Sequence, residues 1–121
     1  MKRINLIVVG GGPAGMIAAG MAAKTSNQVI LLEKNLKLGK KLYLTGKGRC
    51  NITNNTTVEN LVENTIVNGK FLKNAFYKFD CSDIIDLFTD LGLKIKTERG
   101  NRVFPQSDKS SDVIKVLQKF L

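Results

Sequence analysis

The chain has 121 residues, enough for one domain with a core of its own. Hydrophobic residues make up 43% of it and charged residues 24%, proportions that exclude a disordered or coiled-coil chain. Nineteen Lys and Arg against ten Asp and Glu, with no histidine, give a formal charge of +9, which favours polyanions and phosphate-bearing ligands and excludes imidazole as base or metal ligand.

Residues Ile4 to Val9 read as a short buried β-strand, nearly continuous in apolar character, as a parallel strand covered on both faces requires. Gly10-Gly11-Gly12-Pro13 ends that run far below the ~18 apolar residues of a membrane span, and it is too short for a secretory leader. Pro13 to about Lys24 reads as an alanine-rich helix, with proline in the first turn where its missing N–H costs nothing. After the polar turn "TSNQ", "VILLE" reads as a second buried strand, completing a β-α-β unit.

From Asn35 to Asn55 no period is sustained, and the segment reads as a long functional loop with about one turn of helix. Six of the nineteen cations, Lys34, Lys37, Lys40, Lys41, Lys47 and Arg49, fall between positions 34 and 49, with no acid among them. Val58 to Val67 and Lys70 to Phe79 read as short helices. In the second, Phe71, Leu72, Ala75, Phe76 and Phe79 share a face that belongs in a core, although aromatics interleaved with lysines also suit nucleic-acid stacking. Ser82 is the expected N-cap of "DIIDLFTDLG", with Gly92 as its stop. "LKIKTE" and "RVFP" predict a hairpin about Arg99-Gly100-Asn101, with Val103 and Phe104 inside and Arg102 solvated or turned to a ligand. A last helix, capped near Ser110 or Ser111, places Val113, Ile114, Leu117, Phe120 and Leu121 on one face that has no obvious later partner.

Gly10, Gly12 and Gly15 match the dinucleotide fingerprint G-x-G-x-x-G: a tight turn, close backbone approach to a pyrophosphate, and close helix–strand packing. The helix N-terminus behind them favours an anion. Glu33, at the end of the second strand and 18 residues after Gly15, stands where a carboxylate accepts hydrogen bonds from an adenosine ribose. In "LGKKLYLTGKGRCNITN", Gly46 and Gly48 can bring backbone N–H groups near an anion that Lys41 and Arg49 neutralise. Asn51, Thr53 and Asn54 can bond a polar heterocycle or polyol. Cys50 and Cys81 lie 31 positions apart, which excludes zinc-type spacing and a disulfide framework and fits a reducing, cytoplasmic setting. Cys50 reads as packing beside a ligand, ahead of a redox thiol or a covalent flavin attachment point, and Cys81 as core.

"GGGPAG", "EK" at 33 to 34, "GKKLYLTGKGRCNITN" from 39 to 54 and "RVFPQSDKSSDV" from 102 to 113 together resemble the bacterial family of NAD(P)/FAD-dependent oxidoreductases of the BaiN type, some of whose members are labelled aminoacetone oxidase. Members are about three times longer than this chain, with an FAD domain of the two-dinucleotide-binding type interrupted by a second domain. The resemblance implies an α/β, Rossmann-like FAD-binding domain, with residues 1–121 its incomplete N-terminal part carrying added helices and a hairpin. It implies that Gly10, Gly12, Pro13, Ala14, Gly15, Glu33 and Lys34 hold the ADP half of FAD, and that Lys41, Gly46, Gly48, Arg49, Cys50 and Asn51 lie along the pyrophosphate, ribityl chain and flavin edge. NADH or NADPH is then the electron donor and a small molecule the substrate, with neither metal nor membrane involved and nucleic acid disfavoured. The remainder of the full-length chain is the expected partner, and no catalytic acid or base is identified. The rival readings are a basic nucleic-acid-binding module and a fragment that holds no cofactor tightly.

Overall fold

The computed structural model describes residues 6–25 and 28–121. Ile4 and Asn5 of the first predicted strand, and Ser26 and Asn27 of the predicted turn, lie outside the described residues. The chain divides into two compact units, Met1–Cys50 with Asp108–Leu121, and Asn51–Ser107.

In the first unit, β1 (Leu6–Val9), α1 (Pro13–Thr25) and β2 (Val29–Leu32) form the expected β-α-β unit. The strands pair in parallel, with Leu6 opposite Val29 and Val9 opposite Leu32. Full cover of both strand faces is not found: Ile7 is 55% exposed, Val9 82% and Leu32 50%. Each strand has one neighbour in a two-stranded sheet, so the outer edges and much of the face not packed on α1 stay open. A parallel pair normally has cover on both sides.

The stretch after β2 is more ordered than its composition suggests. It contains α2 (Lys40–Leu44) and a 3-10 turn over Thr45–Gly48. The final helix, α6 (Ser110–Phe120), packs on α1 and α2. Its apolar face therefore finds its partners in elements earlier in the chain, whereas the expectation concerned only later ones. Val113, Ile114, Val116 and Leu117 are buried, together with Met16 and Ala19 of α1 and Leu42 of α2. Each fully buried side chain of this size contributes roughly 1.5–3 kcal/mol. The α1 and α6 backbones approach closely enough that a Cβ on Gly20 would stand 2.3 Å from the Phe120 ring. Ser110 does not cap its helix; its hydroxyl donates to the Tyr43 carbonyl at 2.8 Å and ties α6 to α2.

In the second unit, β3 (Thr53–Asn54), β4 (Ile95–Glu98) and β5 (Arg102–Pro105) form an antiparallel sheet in the order β3-β5-β4. The hairpin turns through Arg99–Asn101, with Gly100 in the left-handed region at φ 75°. Val103 and Phe104 are buried, while Arg102 is exposed, with its guanidinium 5.9 Å from the Phe104 ring centroid. Helix α5 (Cys81–Asp90) begins two residues earlier than expected, because Asp80 rather than Ser82 is the cap. Its carboxylate accepts from the N–H groups of Ser82 and Asp83, and Asp83 accepts in return from the Asp80 N–H. An ionised carboxylate satisfies free helix-end donors better than a hydroxyl and suits the positive end of the helix dipole. Gly92 ends this helix as expected, at φ 87°. Cys81 is buried, with its thiol donating to the Thr56 carbonyl at 2.7 Å.

Helices α3 (Val58–Glu63) and α4 (Gly69–Lys78) pack together. The core placement of the α4 aromatics is not upheld. Leu72 and Phe76 are half-buried, whereas Phe71 is 83% exposed and Phe79 38%. Helix α3 has six residues and is too short to cover both stripes of its neighbour.

Candidate functional site

Three glycines shape the turn from β1 into α1, each for its own reason. Gly10 sits at φ 103°, where a side chain would be strained, and its N–H donates to the Leu32 carbonyl at 2.7 Å. A Cβ on Gly15 would lie 1.8 Å from the Gly10 carbonyl oxygen, so the helix approaches the strand end as closely as backbone permits. A Cβ on Gly12 would meet nothing within 4 Å. That open space lies at the first turn of α1, whose leading N–H groups have no intrahelical acceptor. Pro13 and Ala14, the first residues of the helix, are exposed beside it.

Glu33 closes the other side of this turn. Its Oε2 accepts from the Gly11 N–H at 2.7 Å, and its Oε1 from the Asn35 N–H at 2.7 Å and the Asn35 side-chain amide at 2.6 Å. The Asn35 and Gly11 backbone bonds, in that order, hold its carboxyl below the usual range, against a smaller opposing effect of partial burial. Three bonds leave the carboxylate acceptor capacity for a ligand hydroxyl. A Cβ on Gly11 would stand 2.3 Å from the end of the Leu38 side chain, which would have to shift, and 3.1 Å from the Glu33 carboxylate. The Gly11 carbonyl also accepts from the Gly39 N–H at 2.8 Å, so the glycine turn, the end of β2 and the entry to α2 form one hydrogen-bonded assembly.

The Thr45–Cys50 turn belongs to the same unit and closes on itself. Arg49 N–H donates to the Gly46 carbonyl and Cys50 N–H to the Thr45 carbonyl, both at 3.1 Å. Gly46, Lys47, Gly48 and Cys50 all have left-handed backbone, with φ of 56°, 55°, 85° and 60°. The side chain of Arg49 is already engaged. Its Nε and Nη2 donate to Asp108 Oδ1 at 2.8 and 2.6 Å, across 59 positions of sequence. Cys50 is buried, and burial pushes its thiol above the ordinary range, partly offset by its hydrogen bond with Thr45. That supports packing over nucleophilic use, since the thiolate is the reactive form. Lys34 and Lys41 are exposed, and Asn51 opens the second unit, also exposed.

Sequence reasoning thus missed Gly11, Asn35, Leu38 and Asp108. The middle glycine of the "GGG" run was a usable local signal for Gly11. Nothing local announces Asp108, because its partner Arg49 lies 59 positions away in sequence. Among the described residues, no group of three or more His, Cys, Asp or Glu is placed to hold a metal ion. No described helix is long and apolar enough to cross a membrane.

A parallel β-α-β unit, a glycine turn with an open cradle at the helix start and a tethered acid at the next strand end define the first half of a dinucleotide-binding Rossmann domain. The chain belongs to the HI0933-like protein Rossmann domain family, which it matches over residues 4–121. It is 35% identical over 120 residues, 98% of its length, to a 3-dehydro-bile acid delta(4,6)-reductase of Clostridium scindens. It is 33% identical over 93 residues, 77% of its length, to a ribosomal RNA dihydrouridine synthase of Escherichia coli. Over 40 residues, 33% of the chain, it is 62% identical to an NADH oxidase of Thermoanaerobacter brockii. The chain spans 28%, 23% and 6% of the lengths of these relatives, respectively.

Proposed function

We propose that residues 1–121 are the N-terminal part of the FAD-binding domain of a longer flavin-dependent oxidoreductase. The observation that carries this reading is the cradle at Gly12, open where a Cβ would stand while Gly15 is closed against Gly10. A pyrophosphate placed there would meet the first N–H groups of α1 and the positive end of its dipole. Glu33, held ionised, would receive the adenosine ribose hydroxyls, and an acid at that position disfavours a 2′-phosphate. Lys34 follows it as an exposed cation on the ADP side. Lys41, Gly46, Gly48, Arg49, Cys50 and Asn51 would line the remainder of the cofactor, with Cys50 packing beside it as a protonated thiol.

FAD, when bound, supplies two-electron chemistry, taking hydride from NADH or NADPH and passing it to an acceptor. These residues contribute position and charge. The open edges and face of the β1–β2 pair favour further strands and cover supplied by a longer chain. The names of the reductase and the dihydrouridine synthase both describe addition of hydrogen, which favours an unsaturated ring as acceptor class. A small molecule is the first reading of that acceptor. A base within RNA is the second, favoured by the +9 charge and by ribosomal RNA dihydrouridine synthases among the relatives. Anaerobic addition of NADH or NADPH to the intact protein tests the redox role. Bleaching of a bound flavin by either donor supports it, and a flavin that neither reduces refutes the proposed donor.

A further inference from the structure

In the first unit, the segment after β2 and α6 line an open groove of about 1030 Å³. Lys34, Lys37, Lys40 and Lys115 line it, with Leu36 and Tyr43 between them, and no carboxylate is among its lining residues. Lys115 is paired with Asp112 at 3.3 Å, whereas Lys34, Lys37 and Lys40 have no carboxylate partner among the described residues. Leu36 is fully exposed and the Tyr43 ring is 55% exposed. Lys40 and Tyr43, three positions apart in α2, share a face of that helix.

The volume reaches the upper end of the ~300–1,000 Å³ typical of small-molecule sites, which is far more than an inorganic anion needs. A row of cations with an aromatic ring and an apolar side chain between them is the pattern that holds a single strand, phosphates on the cations and bases on the ring. Lysine fits this role as a point charge that accepts phosphate in many orientations, while acidic side chains are better matched by arginine forks, which the groove lacks.

We propose that this groove binds an unpaired segment of RNA, with Lys37 and Lys40 meeting phosphates and Tyr43 stacking on a base. The inference rests on the RNA reading of the acceptor given above. Its test is binding of a labelled single-stranded oligouridine to the intact protein across a salt series, with flavin content measured on each sample. Lys37→Ala/Lys40→Ala should weaken binding about tenfold and flatten the log–log salt slope by about 1.4, at roughly 0.7 per phosphate contact on a single strand. Tyr43→Ala should also weaken binding about tenfold but leave the slope unchanged, because stacking releases no counterions. Flavin content should stay at the wild-type level in both variants. Binding by both variants equal to wild type would overturn the groove and leave the RNA reading standing on another surface. A wild-type protein that does not bind oligouridine even at low salt would defeat the RNA reading itself. Loss of flavin from the lysine variant would assign the groove to the cofactor, and loss of binding only to phosphatidylserine vesicles would assign it to a membrane surface; either result overturns the proposal.

Discussion

Replacing Gly15 and Gly12 with alanine, one at a time, separates the two jobs assigned to the glycine turn. At Gly15 the new Cβ would lie 1.8 Å from the Gly10 carbonyl oxygen and 3.0 Å from its carbonyl carbon, and both atoms are backbone that cannot rotate away. Relief requires α1 to move off the end of β1. Overpacking of this kind costs about 1–3 kcal/mol, and at this site the upper end is expected because backbone must shift. For a chain of this size such a loss lowers Tm by several degrees or more. At Gly12 the same methyl meets nothing within 4 Å. A small loss of N-cap preference there is offset by the ~0.4–1 kcal/mol gained from a less flexible unfolded chain, so stability should barely change. Flavin retention should respond in a different order. Gly12→Ala places its methyl where the pyrophosphate would sit and weakens binding in a protein that remains folded, and Gly12→Val should abolish it. The assay is circular-dichroism melting of the flavin-free protein beside flavin absorbance of the purified protein. An unchanged Tm for Gly15→Ala, or full flavin content in Gly12→Val, would refute the reasoning.

Arg49→Ala should weaken flavin retention more than Lys37→Ala does, measured by equilibrium dialysis against FAD, because Arg49 is fixed by Asp108 while Lys37 is a solvated groove lysine; equal effects would return the Thr45–Cys50 turn to a purely structural role. Because the Glu33 carboxyl is held below its usual range, its stabilising effect is complete above the unfolded value of about 4.3 and is lost as pH falls through the lower folded value. Glu33→Gln should therefore flatten the acid limb of a Tm-against-pH curve below roughly pH 4.3, and an identical limb would contradict its bonds to Gly11 and Asn35. Cys50, buried and with its thiol raised, should react slowly with Ellman's reagent in the folded protein at neutral pH and promptly after denaturation; fast labelling in the native state would restore the nucleophilic reading. Asp80→Ala should lower Tm more than Ser82→Ala, and the reverse order would reinstate Ser82 as the cap.

The β-α-β unit and its glycine turn were legible because their determinants are local and chemically restrictive. A strand–glycine–helix junction admits few residue types, and Gly10, Gly12, Gly15 and Glu33 announce themselves by spacing. The hairpin through Gly100 and the stop at Gly92 were legible for the same reason. What escaped depends on partners distant in sequence. Arg49 looked like a free cation for a pyrophosphate because Asp108 lies 59 positions away. The partner of the apolar face of α6 could not be read locally because α1, which that face covers, comes nearly a hundred residues earlier in the chain. In α4 the period was read correctly as a helix, but periodicity says only which residues share a face. Whether that face is covered depends on the size of its neighbour, and α3 is short. The open faces of β1 and β2 follow the same logic: their composition asks for cover on both sides, and the described residues provide it mainly on one.

The most direct test of the cofactor claim is the visible absorption spectrum of the intact protein as purified, followed by release of any bound chromophore on denaturation. A yellow protein that releases FAD in about one-to-one stoichiometry, and a colourless but folded Gly12→Val counterpart, are the expected results. A colourless wild-type protein that does not take up added FAD would contradict the assignment of the Gly10–Gly15 turn and Glu33 as an FAD site.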